Sequence, residues 1–242
     1  MRSIDYEERL AQLTRYPTVF PVNAYLVREE DGFTLVDTGL SGSEGEFLAA
    51  ARERGGEIRR IALTHAHGDH TGSLDALHDA LPEAEVLVPV REVSFLRGVL
   101  DLTPEEQWLG KLRGWWKAAK TQPTRELSVG DRVGSLEVVA APGHSPGQVA
   151  FFDARDRTLI AGDAFQTRAG IAVSGVIRPL FPFPALATWS LPTALESARR
   201  LRALSPSRLA VGHGPVIEDP LEAMDHAIEA AERKTGSERR VT

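Results

Sequence analysis

Residues 64–70, Thr-His-Ala-His-Gly-Asp-His, place three imidazoles and a carboxylate directly behind the run 58–63. Neutral imidazole and carboxylate are the donors that hold zinc, iron or manganese. His65 and His67 alternate as residues on one face of an extended segment do, and Asp69 and His70 follow where the chain turns into a helix. That spacing can serve two neighbouring metals. Three of the seven histidines of the chain fall in this one stretch, so a loop that binds nothing is a poor account of it.

The same residue types end other apolar runs. Asp37 follows 33–36, His144 follows 136–140 through Ala141-Pro142-Gly143, Asp163 follows 158–161, and His213 follows 209–211. In open α/β sheets functional groups gather beyond the carboxyl ends of strands. A series of strand tips that all carry metal-ligand types therefore predicts one metal centre. With no cysteine in the chain, any metal there is held by nitrogen and oxygen, and disulfide scaffolds and thiolate nucleophiles are excluded.

The elements that must position these residues read as α/β. Residues 19–27 and 33–36 are rich in strand formers around the hairpin signal Asp31-Gly32. Ser43 with Glu46 has the capping-box pattern for a helix that Gly55-Gly56 stops, and 58–64 is a buried strand. Leu74, Leu77 and Leu81 recur at helical spacing up to Pro82, with His78 beside that stripe as a packing or surface residue. Strands are expected at 86–88, 127–129 and 136–140, as a hairpin at 149–152 and 158–161, and at 209–211. Helices are expected from 92, over 194–204 and over 221–231, with His226 solvated and 236–242 a frayed tail.

Two segments stand apart. Residues 98–122 carry Trp108, Trp115 and Trp116 among Leu100, Leu102, Leu109 and Leu112, which suits either a helical pair filling the core or a small cap over the site. Residues 164–187 contain Pro179, Pro182 and Pro184, which exclude a regular helix, and are apolar enough to wall a substrate cleft with Phe181 and Phe183. Arg168 and Arg178 in that loop are either surface charges or partners for an acidic substrate group.

Composition sets the remaining bounds. Hydrophobic residues at 42% and charged residues at 26% match an ordinary globular chain, and 242 residues without repeat or linker suit a single domain, 1–242, with 98–122 as a cap insertion. A net charge of −6 provides no basic field for a phosphate backbone, so a small molecule rather than a nucleic acid is the expected partner. Residues 1–10 carry Arg2, Asp5, Glu7, Glu8 and Arg9 with no signal-peptide core, and no run reaches membrane-spanning length. The expected compartment is the cytoplasm, with no membrane partner.

The order Leu35-Val36-Asp37-Thr38-Gly39, then 64–70, Pro142-Gly143-His144, Gly162-Asp163 and Gly212-His213-Gly214, resembles the metallo-β-lactamase superfamily with its H-x-H-x-D-H signature. The resemblance implies a four-layer αββα sandwich with a two-metal centre at one edge. By the same resemblance His65, His67 and His144 hold the first ion, Asp69, His70 and His213 the second, and Asp163 bridges them. Asp37 matches an acidic residue that orients a metal-bound histidine through its other nitrogen. The implied cofactor is a pair of divalent ions, zinc first and manganese or iron(II) as alternatives, sharing a hydroxide that Asp69 orients or whose proton it handles.

The implied reaction is hydrolysis of an ester-type bond, lactone, thioester or carboxylic ester, in a substrate with an apolar group. Lactonases of this superfamily carry a tyrosine three residues after the bridging aspartate; here Gln166 stands there, and its amide can still donate a hydrogen bond. The stretch after His213 is short for the glutathione-binding domain of glyoxalase II-like thioesterases. A true β-lactamase fits poorly with Asp163 in the bridging place, and an RNase Z-like phosphodiesterase fits poorly with the acidic charge. A persulfide dioxygenase-like enzyme with a single iron stays open, because its ligands are all present.

Overall fold

The computed structural model describes residues 1–238. Four strands, β1 (Arg2–Tyr6), β2 (Leu10–Arg15), β3 (Val22–Glu29) and β4 (Gly32–Val36), form an antiparallel meander. Helix α1 (Glu44–Glu53) then reverses the direction of travel. From there β5 (Ile58–Ala62), β6 (Glu85–Pro89) and β7 (Arg125–Leu127) add in parallel, completing a seven-stranded sheet in sequence order. Helices α2 (Gly68–Thr71), α3 (Leu74–Ala80), α4 (Glu92–Leu96) and α5 (Pro104–Leu109) lie between those strands in the chain.

The second sheet has six strands, built from β8 (Arg132–Val133), β9 (Leu136–Ala140), β10 (Val149–Asp153), β11 (Thr158–Ile160), β14 (Arg208–Ala210) and β15 (Ile217–Glu218) in the order β15-β14-β11-β10-β9-β8. A small ribbon, β12 (Phe165–Gln166) with β13 (Ala172–Val173), stands apart from it. Helix α6 (Phe183–Leu186) and the longer α7 (Leu191–Ala203) precede β14, and α8 (Leu221–Glu238) closes the described chain.

Period-two alternation explains the layering. On β3, Tyr25 and Val27 face the second sheet, where Val138, Phe151, Ile160 and Ala210 meet them, while Ala24 and Leu26 face outward. The outer face of the first sheet packs on Phe47 and Ala51 of α1 and Leu74 and Leu77 of α3. The outer face of the second packs Ala150 and Leu209 on Ala198 and Leu201 of α7 and Met224 and Ala231 of α8. The result is the αββα sandwich that the resemblance implied.

Several local expectations change. Strands β1 and β2 form where the sequence shows no strand pattern, because β1 is an edge strand whose side chains are largely exposed. The Ser43–Glu46 capping box does not form: Ser43 Oγ donates to Leu40 O at 2.8 Å and accepts from Arg15 at 2.7 Å. Thr103 and Glu106 make that reciprocal pair instead, at the start of α5. Within 98–122 the only helix is α5, and the remainder is irregular chain that bridges Trp116 to His67. Residues 164–187 contain the β12–β13 ribbon and α6, whose Pro184 lies in the first turn, where a missing N–H is harmless. Helix α8 runs through Gly236 to Glu238, so the expected tail begins within a helix, and its residues 239–242 lie outside the described residues. No helix among the described residues is long and apolar enough to cross a membrane.

Candidate metal centre

Each site residue arrives just past a strand. Asp37 follows β4 with a left-handed backbone (φ 61°), and the loop after β5 carries His65 and His67 before α2 presents Asp69 and His70. His144 follows β9, Asp163 sits in a short turn after β11, and His213 follows β14. The structure brings His65, His67 and His144 into one group, His65, His70 and Asp163 into a second, and Asp69, His70 and His213 into a third, with the ligand atoms of each group within 4.8 Å of one another.

Hydrogen bonds fix which ring nitrogens face inward. His67 Nε2 donates to Arg113 O (3.1 Å), His213 Nδ1 to Pro21 O (2.7 Å) and His70 Nδ1 to Asp37 Oδ2 (2.8 Å). Thr64 Oγ1 donates to Asp37 (2.8 Å) and so accepts from His65 Nδ1 (3.0 Å). Thr188 Oγ1 donates to Pro184 O (2.7 Å) and accepts from His144 Nδ1 (3.3 Å). These tautomers, assigned from the network, leave the opposite nitrogens as lone pairs pointing at one another. His67 Nδ1 lies 3.1 Å from His65 Nε2 and 3.0 Å from His144 Nε2. Asp163 Oδ2 lies 3.3 Å from His144 Nε2 and 3.2 Å from His213 Nε2, and Asp69 Oδ2 lies 3.4 Å from His213 Nε2.

Lone pairs packed this closely need a cation between them. Buried His70 Nε2 and Asp163 Oδ1, 3.5 Å apart, have no hydrogen-bond partner among the described residues, which is costly for polar atoms away from water unless a positive ion completes them. The donors are imidazole and carboxylate throughout, so the residues present fit divalent metal ions.

Without metal the two ends of the centre hold protons differently. Burial, the largest influence on each ring, lowers the pKa of His67 to about 4 and of His144 to about 3, and holds His65 well below its ordinary value with help from the neighbouring imidazoles. Burial also disfavours charge on His70 and His213, but there the carboxylates win. Asp163 and Asp37 raise His70 well above its ordinary value, and Asp163 with Asp69 pushes His213 up to about 10. For Asp163 and Asp69 burial acts upward, yet the facing imidazoles keep both well below the usual carboxylate range.

Two supports escaped the sequence reading. Glu92 is fully buried and accepts from Ala66 N (2.9 Å), Ser145 Oγ (2.8 Å) and Gly147 N (2.8 Å), tying the His65–His67 loop to the loop of His144. By sequence it is only the first residue of a helix. Gly212 is needed for space, because a Cβ there would lie 2.0 Å from Asp163 Oδ1 and 2.7 Å from the His70 ring. Its place beside His213 was the available signal.

Above the centre lies a cavity of about 340 Å³, walled by Phe20, Leu40, Trp115, Phe183, Pro184, Leu186 and Ala187, with His67, Asp69, His144, Asp163 and His213 also lining it. Trp115 and Phe183 thus meet the expected pocket. Trp116 packs behind it, on the His67 ring at 4.3 Å and on Phe95 at 4.9 Å, and buried Phe181 backs the wall against Phe20, Phe183 and His213. Two expectations are corrected. Trp108 is 91% exposed on α5, outside the cavity, and Gln166 is buried with its amide nitrogen donating to Gly170 O at 3.1 Å, so neither lines the cavity. Phe20 lies in the turn before β3 rather than in the expected strand, and it lines the pocket. Arg168 and Arg178 donate to the backbone oxygens of Thr18 and Ile171.

The sequence model of the metallo-beta-lactamase superfamily matches residues 17–213. Over 233 residues the chain is 46% identical to the protein YobT of Bacillus subtilis (strain 168), covering 96% of this chain and 100% of that one. It is 29% identical over 220 residues to the protein of the same organism named probable metallo-hydrolase YflN, covering 81% and 82% of the two chains. Among solved structures, TTHA1623 in a di-iron-bound form superposes with a TM-score of 0.66 at 30% identity, covering 88% of this chain and 96% of that one.

Proposed function

The chain belongs to the metallo-β-lactamase superfamily and is a metal-dependent hydrolase, and from that premise we propose that it cleaves an ester-type bond, lactone, thioester or carboxylic ester, beside an apolar substrate group. The observation that carries this reading is the cavity wall. Apart from the centre's own carboxylates and histidines, the residues lining it are all uncharged, so a neutral carbonyl carrying an apolar group fits where a phosphodiester would find no cationic clamp.

His65, His67 and His144 would hold one ion and Asp69, His70 and His213 the other, with Asp163 between them. Zinc is the first choice, with manganese or iron equally compatible with the donors; the di-iron form of TTHA1623 supports the iron alternative. Such ions supply Lewis acidity and a water acidified toward neutral pH. The residues of the chain do the rest. Asp69 keeps 16% of its side-chain surface open and stays ionised, so it can accept a hydrogen bond from an attacking water and take its proton. Phe20, Phe183 and Leu186 exclude bulk water and orient the apolar group. Asp37, through His70 and Thr64, holds two imidazoles in register.

Elemental analysis with a hydrolysis panel tests the proposal. Two divalent ions per chain are expected, with kcat/KM for lactones, thioesters or aryl esters about 100-fold above that for β-lactams and phosphodiesters, the span of a few kcal/mol in transition-state binding. A single iron per chain with oxygen consumption would instead favour the persulfide dioxygenase-like alternative. Turnover confined to phosphodiesters would remove the ester assignment.

A further inference from the structure

The apolar cavity has a cationic neighbour. A second cavity of about 220 Å³ borders the same segment of chain and shares Leu186 with the first. Arg113, Gly175, Ile177, Trp189 and Lys234 line it along with Leu186, and among the described residues no carboxylate does. Lys234 of α8 reaches it to donate to Gly175 O at 2.6 Å. The carbonyl of Arg113 accepts from His67 Nε2 and from Trp116 Nε1 (2.9 Å), which pins its backbone to a ligand of the first ion. Its guanidinium forms no ion pair among the described residues, whereas Arg54, Arg60, Arg91, Arg155, Arg202 and Arg208 are all paired with carboxylates. The absence of acid is regional. In a chain of net charge −6, residues 107–125 and 164–195, which supply nearly all of the second cavity's lining and part of the first's, contain no Asp or Glu.

Resting on the ester reading above, we propose that the second cavity is a subsite for an anionic end of the substrate. The carbonyl and its apolar group occupy the cavity over the metal centre, and a carboxylate at the far end of the same molecule passes Leu186 to reach Arg113. A planar guanidinium matches a carboxylate in two parallel hydrogen bonds, and Lys234 adds to the positive potential around it. The substrate class is then an acidic, otherwise apolar ester. Since Arg113 is exposed, the discrimination is set at about tenfold, the scale of one solvent-accessible charge-assisted contact.

Calorimetric titration of metal-loaded protein with 4-phenylbutyrate and with 4-phenylbutan-1-ol tests the subsite without turnover. The carboxylate is expected to bind about tenfold more tightly, Arg113→Gln to erase that preference and Arg113→Lys to restore part of it. A preference that survives Arg113→Gln would place the anion on the metals and overturn the subsite, as would no preference in the unaltered chain. Should Arg113→Gln fail to fold, Ile177→Asp puts a carboxylate into the same cavity, and unchanged 4-phenylbutyrate affinity in that variant would equally overturn it. Phenyl esters with and without a terminal carboxylate are assayed in parallel. Hydrolysis of neither counts against the ester reading, while the binding comparison decides the subsite.

Discussion

The two ends of the metal centre use the same ring in opposite electrostatic settings. His65, His67 and His144 are anchored by neutral groups, the Thr64 hydroxyl, the Arg113 carbonyl and the Thr188 hydroxyl, and burial keeps them unprotonated. His70 and His213 face Asp163, Asp37 and Asp69, and those carboxylates make them proton carriers when no metal is present. A histidine's readiness to ligate is thus set by what surrounds it. The first end offers lone pairs at once, whereas an ion entering the second must displace protons.

Asp163 belongs to both ends, so Asp163→Ala should have the largest effect. Loss of at least one ion and a fall in kcat/KM of about 100-fold or more are expected, as when one preorganised stabilising group is removed from a hydrolytic site. Metal analysis and steady-state kinetics check this. Two tightly held ions in the variant would break the bridging assignment.

The supporting residues divide the ends more finely. Asp37→Asn should weaken the second ion most, about 10- to 100-fold, because His70 loses the carboxylate that fixes its tautomer directly, whereas His65 of the first end is reached only through Thr64. Glu92→Gln should act at the first end, since the carboxylate it replaces accepts from Ala66, Ser145 and Gly147. Stepwise metal titration of both variants reads which ion weakens, and equal weakening of the two ions in each variant would erase the distinction.

Smaller but diagnostic is the pH dependence. His213 titrates near pH 10 in the metal-free chain, above its ordinary value, so affinity at the second end should climb from pH 7 toward 10 with proton release. Affinity at the first end should be flat above about pH 5, because His67 and His144 titrate near 4 and 3. Calorimetry in buffers of different ionisation enthalpy counts the protons. For the metal-free fold the signs oppose each other. The raised pKa of His213 contributes stability that is complete below about pH 6.5 and lost as pH rises through about 10. The lowered pKa values of His67 and His144 contribute stability present above about pH 6.5 and lost as pH falls toward 4 and 3. Melting temperature should therefore decline on both sides of neutrality.

Much of this was legible in sequence because the chemistry sits on strand tips. The 64–70 stretch, Asp37, His144, Asp163 and His213 each end a run of strand formers. What sequence left open depends on contacts distant along the chain. Glu92 reads only as a helix start until β6 and α4 carry it beneath two metal loops, and Phe20 reads as strand until the turn before β3 delivers it to the pocket. Gln166 occupied a suggestive spacing, yet the ribbon β12–β13 turns its amide to Gly170. Residues 98–122 defeated periodicity because only six of them are helical, and the rest is shaped by the metal loop it touches.

That last segment sharpens the comparison between the ends, since its indoles pack on His67 and on Gly68 beside it. Gly68 N donates to Trp115 O at 2.8 Å, and an added Cβ at Gly68 would lie 2.9 Å from the Trp115 ring, so this indole is seated on the loop that carries His67. Trp108, a few residues earlier and identical in kind, is 91% exposed. Trp115→Ala should raise KM for apolar esters about fivefold, the cost of losing part of one hydrophobic wall, while affinity for the second ion stays as it was. Trp108→Ala should leave KM unchanged and shift unfolding stability by no more than about 0.5 kcal/mol, as surface substitutions do. Kinetics and urea midpoints on the two variants decide the matter. If Trp108→Ala raised KM as much as Trp115→Ala, the cavity wall would extend over α5, and the division between an insertion-supported first end and a carboxylate-supported second end would have to be redrawn.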